Sequence, residues 1–246
     1  MPATPIRTDV PGPHDLNWPP LVAGKLVRRY KRFLADVRLD DGRQVTAHCP
    51  NTGSMQACSE PGRRVYLSVH DNPKRKYPFT WELIAMPDSL VGVNTLVPNR
   101  LVKHAVSRDA IPELRGYATV RSEVRVGANA RMDLMLAGPG DSRCYVEIKN
   151  CTLVRERIAR FPDAVTARGL KHLQALARHV GPQTRSVIFI LVQRMDAQAF
   201  EPADAIDPAY GRGLRQAVAA GVELMAYDTC IDTDMIRLGR SLPCRL

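Results

Sequence analysis

The sequence lacks the features that would place the protein in or across a membrane. No run of about 18 apolar residues occurs, so no transmembrane helix is predicted. The N-terminal segment MPATPIRTDVPGPHDLNWPP has no apolar core and therefore does not resemble a secretory signal. Its many prolines predict an extended or disordered lead-in at residues 1–17. We expect a globular, cytoplasmic protein.

Three familiar site patterns are also missing. The six cysteines form no C-x-x-C pair and no repeated spacing, which disfavours a zinc site and a disulfide framework, so we expect reduced thiols. No G-x-S-x-G motif surrounds Ser54, so a serine nucleophile has no support there. No clear helix-turn-helix pattern occurs, which counts against the usual kind of sequence-reading regulator.

What the sequence does have is an excess of positive charge. It contains 35 Lys and Arg residues against 25 Asp and Glu residues, and the formal net charge is +10. This balance concerns the partner rather than the fold, and nucleic acid is the commonest partner of a basic globular protein. An anionic membrane surface or an acidic protein would also be complementary in charge. We expect DNA, double- or single-stranded, as the partner, and no membrane.

The order of the apolar patterns predicts two domains of different architecture. Residues 18–92 contain five short strand-like runs and a hairpin turn, Asp-Asp-Gly at 40–42, which fit a small OB-like β-barrel. Residues 93–246 predict a β-hairpin followed by alternating helices and strands, and so a mixed sheet with helices packed on it. The fold class that we expect is therefore mixed α/β.

Three helices are predicted in or near the second domain from the spacing of their apolar residues. They lie at residues 90–114, with Asn94 or Thr95 as the N-cap, at 161–181, with Asp163 near the start, and at 207–221, with Asp207 as the N-cap. The continuous apolar run at residues 186–194 predicts a central strand that is buried on both faces.

A hairpin in the second domain brings charged side chains of both signs together. The strand-like runs RMDLML and CYVEIKNCTL are joined by a turn centred near Gly140. In that register Asp133 lies opposite Glu147, and side chains directly opposite are about 5 Å apart at Cβ. Because side chains alternate along a strand, Lys149 shares a face with Glu147. The sequence therefore predicts that Asp133, Glu147 and Lys149 lie together as candidate catalytic residues.

Two interpretations of this group remain open. One is a solvated salt bridge between strands, worth well under about 1 kcal/mol, since E-x-K is a common tripeptide. The other is a metal site, because two neighbouring carboxylates repel each other and a divalent ion removes the repulsion. The ligands of Mg²⁺ or Mn²⁺ would be Asp133, Glu147, the carbonyl of Ile148 and, in addition, Glu123. Lys149 would then hold or activate the water that attacks a phosphate.

Two basic clusters in the first domain predict contacts with a phosphate backbone. Aromatic residues lie among them, and aromatic rings stack on bases in many nucleic-acid-binding surfaces. The candidate DNA-binding residues are Lys25, Arg28, Arg29, Lys31, Arg32, Lys74, Arg75, Lys76 and, on the second helix, Lys171. A solvated surface is the alternative interpretation for these cations, and an ordinary partly buried histidine is the simpler interpretation for the nearby His172.

Five sets of motifs are distributed along the chain. They are HCPNTGSM, VPNRLV, RMDLML with CYVEIKNCTLV, FPDAVTARGLKHL, and VQRMDAQAFEPADAIDP with GVELMAY, and they cover about residues 20–228. Together they resemble the sugar fermentation stimulation protein A (SfsA) family. The resemblance implies an OB-like domain followed by a domain similar to PD-(D/E)xK nucleases, and DNA binding linked to the regulation of sugar (maltose) utilisation.

The resemblance also assigns roles to residues of the hairpin. It matches Asp133 with the strand aspartate of those nucleases, and Glu147 and Lys149 with their E-x-K pair. Glu123 matches an additional acidic residue less closely, and Met132 stands where the nuclease motif has proline.

Three classes of function follow from the sequence. The leading hypothesis is a two-domain DNA-binding protein with a Mg²⁺-dependent nuclease-type site that hydrolyses a phosphodiester in line. The alternative is a non-catalytic, weakly sequence-selective transcriptional regulator that retains the nuclease fold as a DNA clamp. A hydrolase that acts on another phosphate ester or on RNA is the third.

Overall fold

A short strand of the second domain precedes the barrel. The computed structural model describes residues 15–126 and 130–246. Its first strand, β1 (Leu16–Asn17), pairs antiparallel with a strand near the C-terminus through Leu16 and Ile236. The first fourteen residues of the expected lead-in lie outside the described residues, and β1 lies at the end of that segment.

The first domain is a closed β-barrel. Its strands are β2 (Leu21–Tyr30), β3 (Leu34–Leu39), β4 (Gln44–His48), β5 (Arg64–Val69), β6 (Phe79–Ala85) and β7 (Leu90–Gly92). They lie in the order β4-β3-β2-β5-β6-β7, and a parallel pairing of β4 with β6 closes the barrel. The five strands predicted for this region are β2 to β6.

Apolar side chains at alternate positions of the barrel strands fill its interior. Val37, Leu67 and Trp81 are fully buried there. The predicted Asp-Asp-Gly turn joins β3 to β4, and Gly42 adopts a φ of 89°, a conformation that favours glycine. The N–H of Gly42 donates to the carbonyl of Leu39 at 3.0 Å, which closes the turn.

The second domain is a mixed sheet with helices on both faces. Its further elements are, in chain order, α1 (Val97–Val106), β8 (Thr119–Val126), β9 (Ala130–Ala137), β10 (Arg143–Cys151), β11 (Leu153–Arg155), β12 (Ile158–Phe161), α2 (Ala167–Arg178), β13 (Thr184–Val192), β14 (Ala199–Pro202), α3 (Pro208–Ala219), β15 (Glu223–Ile231) and β16 (Met235–Ser241). The main sheet has the order β1-β16-β15-β13-β10-β9-β8, and β11, β12 and β14 form a separate sheet. The hairpin and the alternation after it follow the prediction, whereas β16 and the smaller sheet were not predicted.

The central strand β13 supplies side chains to two apolar cores on opposite faces of the main sheet. Phe189 packs in one core with Leu101 of α1. Ile190, its neighbour in sequence, packs in the other core with Leu173 of α2 and Leu214 of α3. Successive side chains of a strand point to opposite faces, so an uninterrupted apolar run is needed here. The predicted central strand is thus confirmed.

The predicted N-cap of the first helix is wrong. The N-cap residue of α1 is Leu96, whose side chain cannot accept a hydrogen bond. Asn94 accepts the N–H of Leu96 through its Oδ1 at 2.9 Å, and therefore stabilises the turn that precedes the helix. Thr95 donates its hydroxyl to the carbonyl of Pro50 at 2.5 Å, which ties this turn to the barrel.

The second helix is shorter than predicted, because the residues before it have other partners. Thr166 is the N-cap of α2 and accepts the N–H of Gly169 at 3.0 Å, so Asp163 lies outside the helix. The third prediction is confirmed, since Asp207 caps α3 and accepts the N–H of Tyr210 at 2.9 Å. No helix within the described ranges is both long and apolar enough to cross a membrane.

Candidate active site

Strands β9 and β10 stop pairing just before their two carboxylates. They pair in the predicted register as far as Leu134 and Val146, one step before Asp133 and Glu147. Beyond that point the N–H of Ile148 donates to Oδ2 of Asp133 at 2.7 Å. A side-chain carboxylate therefore accepts a backbone N–H at the place where the hairpin opens.

Glu147 forms the centre of a buried polar group. Lys149 Nζ donates to its Oε1 at 2.6 Å, and His172 Nδ1 on α2 contacts the same oxygen. The side chains of Lys149 and Glu147 are only 14% and 4% exposed, so the interpretation as a solvated salt bridge is wrong. Arg168, one turn before His172, donates from Nε to its Nε2 at 3.4 Å.

The two carboxylates of the hairpin have pKa values shifted in opposite directions. Burial raises the pKa of Asp133, and the negative charge of Glu147 raises it further. Asn99 Nδ2 donates to Oδ1 of Asp133 at 2.8 Å. This hydrogen bond and the one from the N–H of Ile148 lower the pKa, but only in part. Burial also acts to raise the pKa of Glu147. There, however, hydrogen bonds from His172 and Lys149 outweigh burial and lower the pKa.

The oxygen atoms of this pair suit a hard divalent cation. Oε2 of Glu147 is buried and has no hydrogen-bond partner among the described residues, since Lys149 and His172 both use Oε1. Mg²⁺ requires few protein oxygens and retains several of its waters. Two carboxylates and a backbone carbonyl therefore fit such an ion, although no three His, Cys, Asp or Glu side chains within residues 15–126 and 130–246 converge as a complete metal site.

A third carboxylate lies in line with the first two across the sheet. On β8, Ser122 and Val124 pair with Leu134 and Met132, so the register places Glu123 opposite Asp133. Glu123 has a φ of 55°, and its Oε2 accepts from Arg131 at 3.2 Å. A positive φ in a residue other than glycine is uncommon, and such strain is often found at functional sites.

The carboxylates lie in a cleft between the two domains. Its volume is about 720 Å³. One wall is the barrel loop at residues 51–54, which follows β4, and the other includes residues 160–166, which lead into α2, and Arg168 in its first turn. Asp133, Glu147 and Lys149 line the cleft between these walls.

A set of hydrogen bonds fixes the barrel loop against the second domain. The guanidinium of Arg29 donates to the carbonyls of Asn51 at 2.8 Å, of Gly53 at 2.9 Å and of Ser54 at 3.3 Å. From the other side, Asp163 Oδ2 accepts the N–H of Met55 at 3.0 Å. Residues of the motifs HCPNTGSM and FPDAVTARGLKHL therefore meet at the wall of the cleft.

The structure separates the predicted DNA-binding cations into groups. Arg29 and Arg32 line the cleft. Arg28 pairs with Asp36 at 2.8 Å, and Arg75 donates to Thr80 Oγ1 at 2.9 Å, so both have partners within the protein. The others are exposed and do not line the cleft: Lys25, Lys31, Lys74, Lys76 and Lys171.

Several residues of the site were not predicted. Asn99 holds Asp133, and the cations Arg131 and Arg160 line the cleft. His172, interpreted from the sequence as an ordinary histidine, contacts Glu147. Asn99 and His172 are 34 and 25 positions from Asp133 and Glu147, the carboxylates that they contact, so local spacing carried no signal for either, except that Asn99 lies in the motif VPNRLV.

Comparison with known proteins places both domains. A family model described as "Sugar fermentation stimulation protein RE domain" matches residues 96–235. A second model, described as "SfsA N-terminal OB domain", matches residues 27–93. The chain belongs to the SfsA family. It is 56% identical to the sugar fermentation stimulation protein homolog of Geobacter sulfurreducens, over 91% of this chain and 96% of the relative. The homolog of Pelobacter propionicus is also 56% identical, over 93% and 99% of the two chains.

A solved SfsA structure shows the same fold. The SfsA protein of Pyrococcus furiosus, solved in complex with Ca²⁺, superimposes with a TM-score of 0.85 at 24% identity, over 94% of this chain and 98% of that chain. The resemblance stated from the sequence motifs is thus confirmed. So is the expected fold class, an OB-like barrel followed by a mixed-sheet domain.

Proposed function

We propose that this SfsA protein binds DNA and carries a metal-dependent nuclease-type active site in the cleft between its domains. The observation that carries the proposal is the buried pair Asp133 and Glu147, in which Oε2 of Glu147 has no hydrogen-bond partner within residues 15–126 and 130–246. Burial and the charge of Glu147 raise the pKa of Asp133. The pair therefore needs a neighbouring positive charge, and among the described residues Lys149 places one only at Oε1 of Glu147.

A divalent cation, Mg²⁺ or Mn²⁺, would supply that charge. Asp133, Glu147 and the carbonyl of Ile148 would hold it, and Glu123 would add a carboxylate after release from Arg131. The SfsA protein of Pyrococcus furiosus was solved with Ca²⁺, which supports a divalent ion in this family. When bound, the ion lowers the pKa of a water and neutralises charge that develops on a phosphate.

The side chains around the carboxylates have separate tasks in this proposal. Lys149 orients the attacking water and screens the phosphate, because its ammonium lies against Glu147 in a mostly buried position. Asn99 and the N–H of Ile148 fix the two oxygens of Asp133. His172 holds Glu147 in place from α2. Hydrolysis would then proceed in line at a phosphodiester in the cleft.

The DNA backbone would be held by cations of both domains. Arg32, Arg131, Arg160 and Arg168 line the cleft, and they would contact the phosphates closest to the site. The exposed lysines of the barrel clusters would extend the contact over more of the backbone. Neither set reads base edges in this proposal, so we expect little sequence preference.

The proposal is tested by incubating the full chain with supercoiled plasmid, single-stranded DNA and RNA, each with Mg²⁺, Mn²⁺ or a chelator. We expect that the wild type cleaves DNA only when a divalent ion is present. Glu147→Ala and Lys149→Ala should each reduce the rate of cleavage at least 100-fold, which is roughly the size of one electrostatic contribution to catalysis. Cleavage of RNA alone would support the third class of function instead.

Asp141→Ala is the matched control, since Asp141 is an exposed carboxylate in the turn of the same hairpin. It should cut DNA as the wild type does. The nuclease proposal fails if the wild type and Glu147→Ala both bind DNA and both leave it intact.

A second candidate is a non-catalytic transcriptional regulator that uses the cleft as a DNA clamp and acts in sugar utilisation. The contact of Lys149 and His172 with the same oxygen of Glu147 favours it, because this network already neutralises one carboxylate without a metal. This candidate predicts salt-dependent DNA binding that is unchanged by Asp133→Ala and by chelators. Loss of DNA binding on chelation would argue against it.

A further inference from the structure

A second cavity lies where the barrel, the start of the second domain and the strand β1 meet. We call it the junction cavity, and its volume is about 290 Å³. The first turns of α1 lie between it and the cleft, since Pro98 and Asn99 line the cleft whereas Val97 and Arg100 line the junction cavity. It is thus a separate space that the proposed nuclease function does not use.

Two guanidinium groups line the junction cavity. Arg100, on the exposed side of α1, has no hydrogen bond or ion pair with any residue of the described ranges. Arg75 uses one of its N–H groups to donate to Thr80 Oγ1 at 2.9 Å, which fixes the guanidinium at the cavity and leaves further donors available. Guanidinium groups match phosphate and carboxylate groups in charge and geometry.

The only carboxylate that lines the junction cavity within the described residues already has partners. Glu82 is 5% exposed, and its two oxygens accept from Ser68 Oγ at 2.7 Å and from Asn94 Nδ2 at 2.8 Å. The charges of Arg75, Arg100 and Glu82 sum to one net positive charge in the lining. The lining therefore favours an anion, and Glu82 does not occupy the donors of Arg75 or Arg100.

Neutral polar and apolar groups complete the lining. Burial, together with the charge of Arg75, lowers the pKa of His48, so its ring is neutral at physiological pH and offers one donor and one acceptor. The indole of Trp18 is fixed by its Nε1, which donates to the carbonyl of Asp232 at 3.0 Å, and its ring forms part of the wall. Leu96 adds an apolar side chain that is 65% exposed.

We propose that the junction cavity binds a small organic anion, whose phosphate or carboxylate group pairs with Arg75 and Arg100 and whose planar or apolar part lies against Trp18. Sites for small molecules have volumes of about 300–1,000 Å³ and combine apolar walls with a few polar groups. At about 290 Å³ the junction cavity lies just below that range, so it suits a molecule no larger than a mononucleotide and not a nucleic-acid chain.

The test is titration calorimetry on the full chain, dialysed free of divalent ions and measured without DNA. The probes are adenosine monophosphate, which carries a phosphate and a planar ring, and benzoate, which carries a carboxylate and a planar ring. Adenosine and inorganic phosphate serve as the separate halves of the first probe. We expect at least one of the two complete probes to bind saturably with a Kd of about 1 μM to 1 mM, and each half at least 10-fold more weakly.

Variants locate the binding. Arg100→Gln should weaken the bound probe at least 10-fold, whereas Arg38→Gln, which changes an exposed arginine of β3 outside the cavity, should leave the Kd unchanged. Quenching of Trp18 fluorescence by the probe should disappear in Trp18→Phe.

The proposal is overturned if neither complete probe binds or if Arg100→Gln binds as the wild type does. Neither outcome depends on whether the cleft cuts DNA, because the titration contains neither metal nor nucleic acid. The failure of either proposal therefore leaves the other intact.

Discussion

Asp133 carries a free-energy cost at neutral pH, because burial and the charge of Glu147 raise its pKa. We predict that Asp133→Asn raises the midpoint of thermal unfolding by a few degrees, equivalent to about 1 kcal/mol. The amide still offers an oxygen to the N–H of Ile148 and removes the repulsion from Glu147. Calorimetry at neutral pH, without divalent ions, measures the change.

The pH dependence of this difference follows from the direction of the shift. A raised pKa gives a contribution to stability that is fully present below the ordinary value of 3.8 and is lost as the pH rises through the folded-state pKa of Asp133. The gap between the wild type and Asp133→Asn should therefore shrink as the pH falls toward 4. A gap that is constant with pH would assign the stabilisation to something other than the charge.

Glu147 has the opposite behaviour, because its hydrogen bonds with His172 and Lys149 lower its pKa. Its contribution to stability is present above the ordinary value of 4.5 and is lost as the pH falls through the still lower folded-state pKa. We predict that Glu147→Gln lowers the free energy of unfolding at pH 7 by roughly 3 kcal/mol, since it leaves Lys149 in a mostly buried position without its anion. Denaturant unfolding at pH 7 measures this loss.

Glu223→Gln is the matched control for Glu147→Gln. Glu223 pairs with Arg185 at 2.7 Å, but both side chains are more than a third exposed. The loss there should stay below about 1 kcal/mol. Equal losses in the two variants would mean that burial does not set the strength of the Glu147 network.

At the scale of elements, the wall of the cleft depends on a close approach of two loops. A Cβ at Gly53 would lie 2.7 Å from both carboxylate oxygens of Asp163. We predict that Gly53→Ala displaces Asp163, breaks its hydrogen bond with the N–H of Met55 and costs about 1–3 kcal/mol. Faster hydrogen exchange of the Met55 amide measures the displacement directly.

Gly181→Ala provides the comparison for Gly53→Ala, because a Cβ at Gly181 meets no heavy atom within 4 Å. It should leave the exchange of the Met55 amide and the stability close to those of the wild type. If Gly53→Ala behaves in the same way, the contact between residues 51–54 and Asp163 does not hold the wall in place.

Elements that rest on local rules were predictable. Alternating side chains and the turn near Gly140 gave the correct register of β9 and β10, and Asp207 was recognised as the cap of α3. The starts of α1 and α2 were not predictable, because Thr95 and Asp163, which have the chemistry of caps, form hydrogen bonds with the barrel instead. Such tertiary contacts override local preference and are not visible in a single sequence.

At the scale of the whole molecule, the sequence indicated the chemistry of the site but not its surroundings. Asp133, Glu147 and Lys149 come from a single hairpin, so strand periodicity was enough to group them. The cleft itself arises from contact between two domains, and Arg29 and His172 reach it from the barrel and from α2. Net charge likewise predicted a basic surface without distinguishing cations that are free from cations such as Arg28 that have an internal partner.

That distinction gives a final prediction, for the salt dependence of DNA binding. Arg32 lines the cleft with an exposed side chain, whereas the charge of Arg28, four residues earlier, is matched by Asp36 at 2.8 Å. Each lost phosphate contact lowers the slope of log K against log salt concentration by about 0.9 for duplex DNA and about 0.7 for single strands. Arg32→Gln should therefore reduce the slope by about one contact, and Arg28→Gln should leave it unchanged. If Arg32→Gln leaves the slope unchanged as well, the DNA does not contact Arg32 and lies away from this part of the cleft.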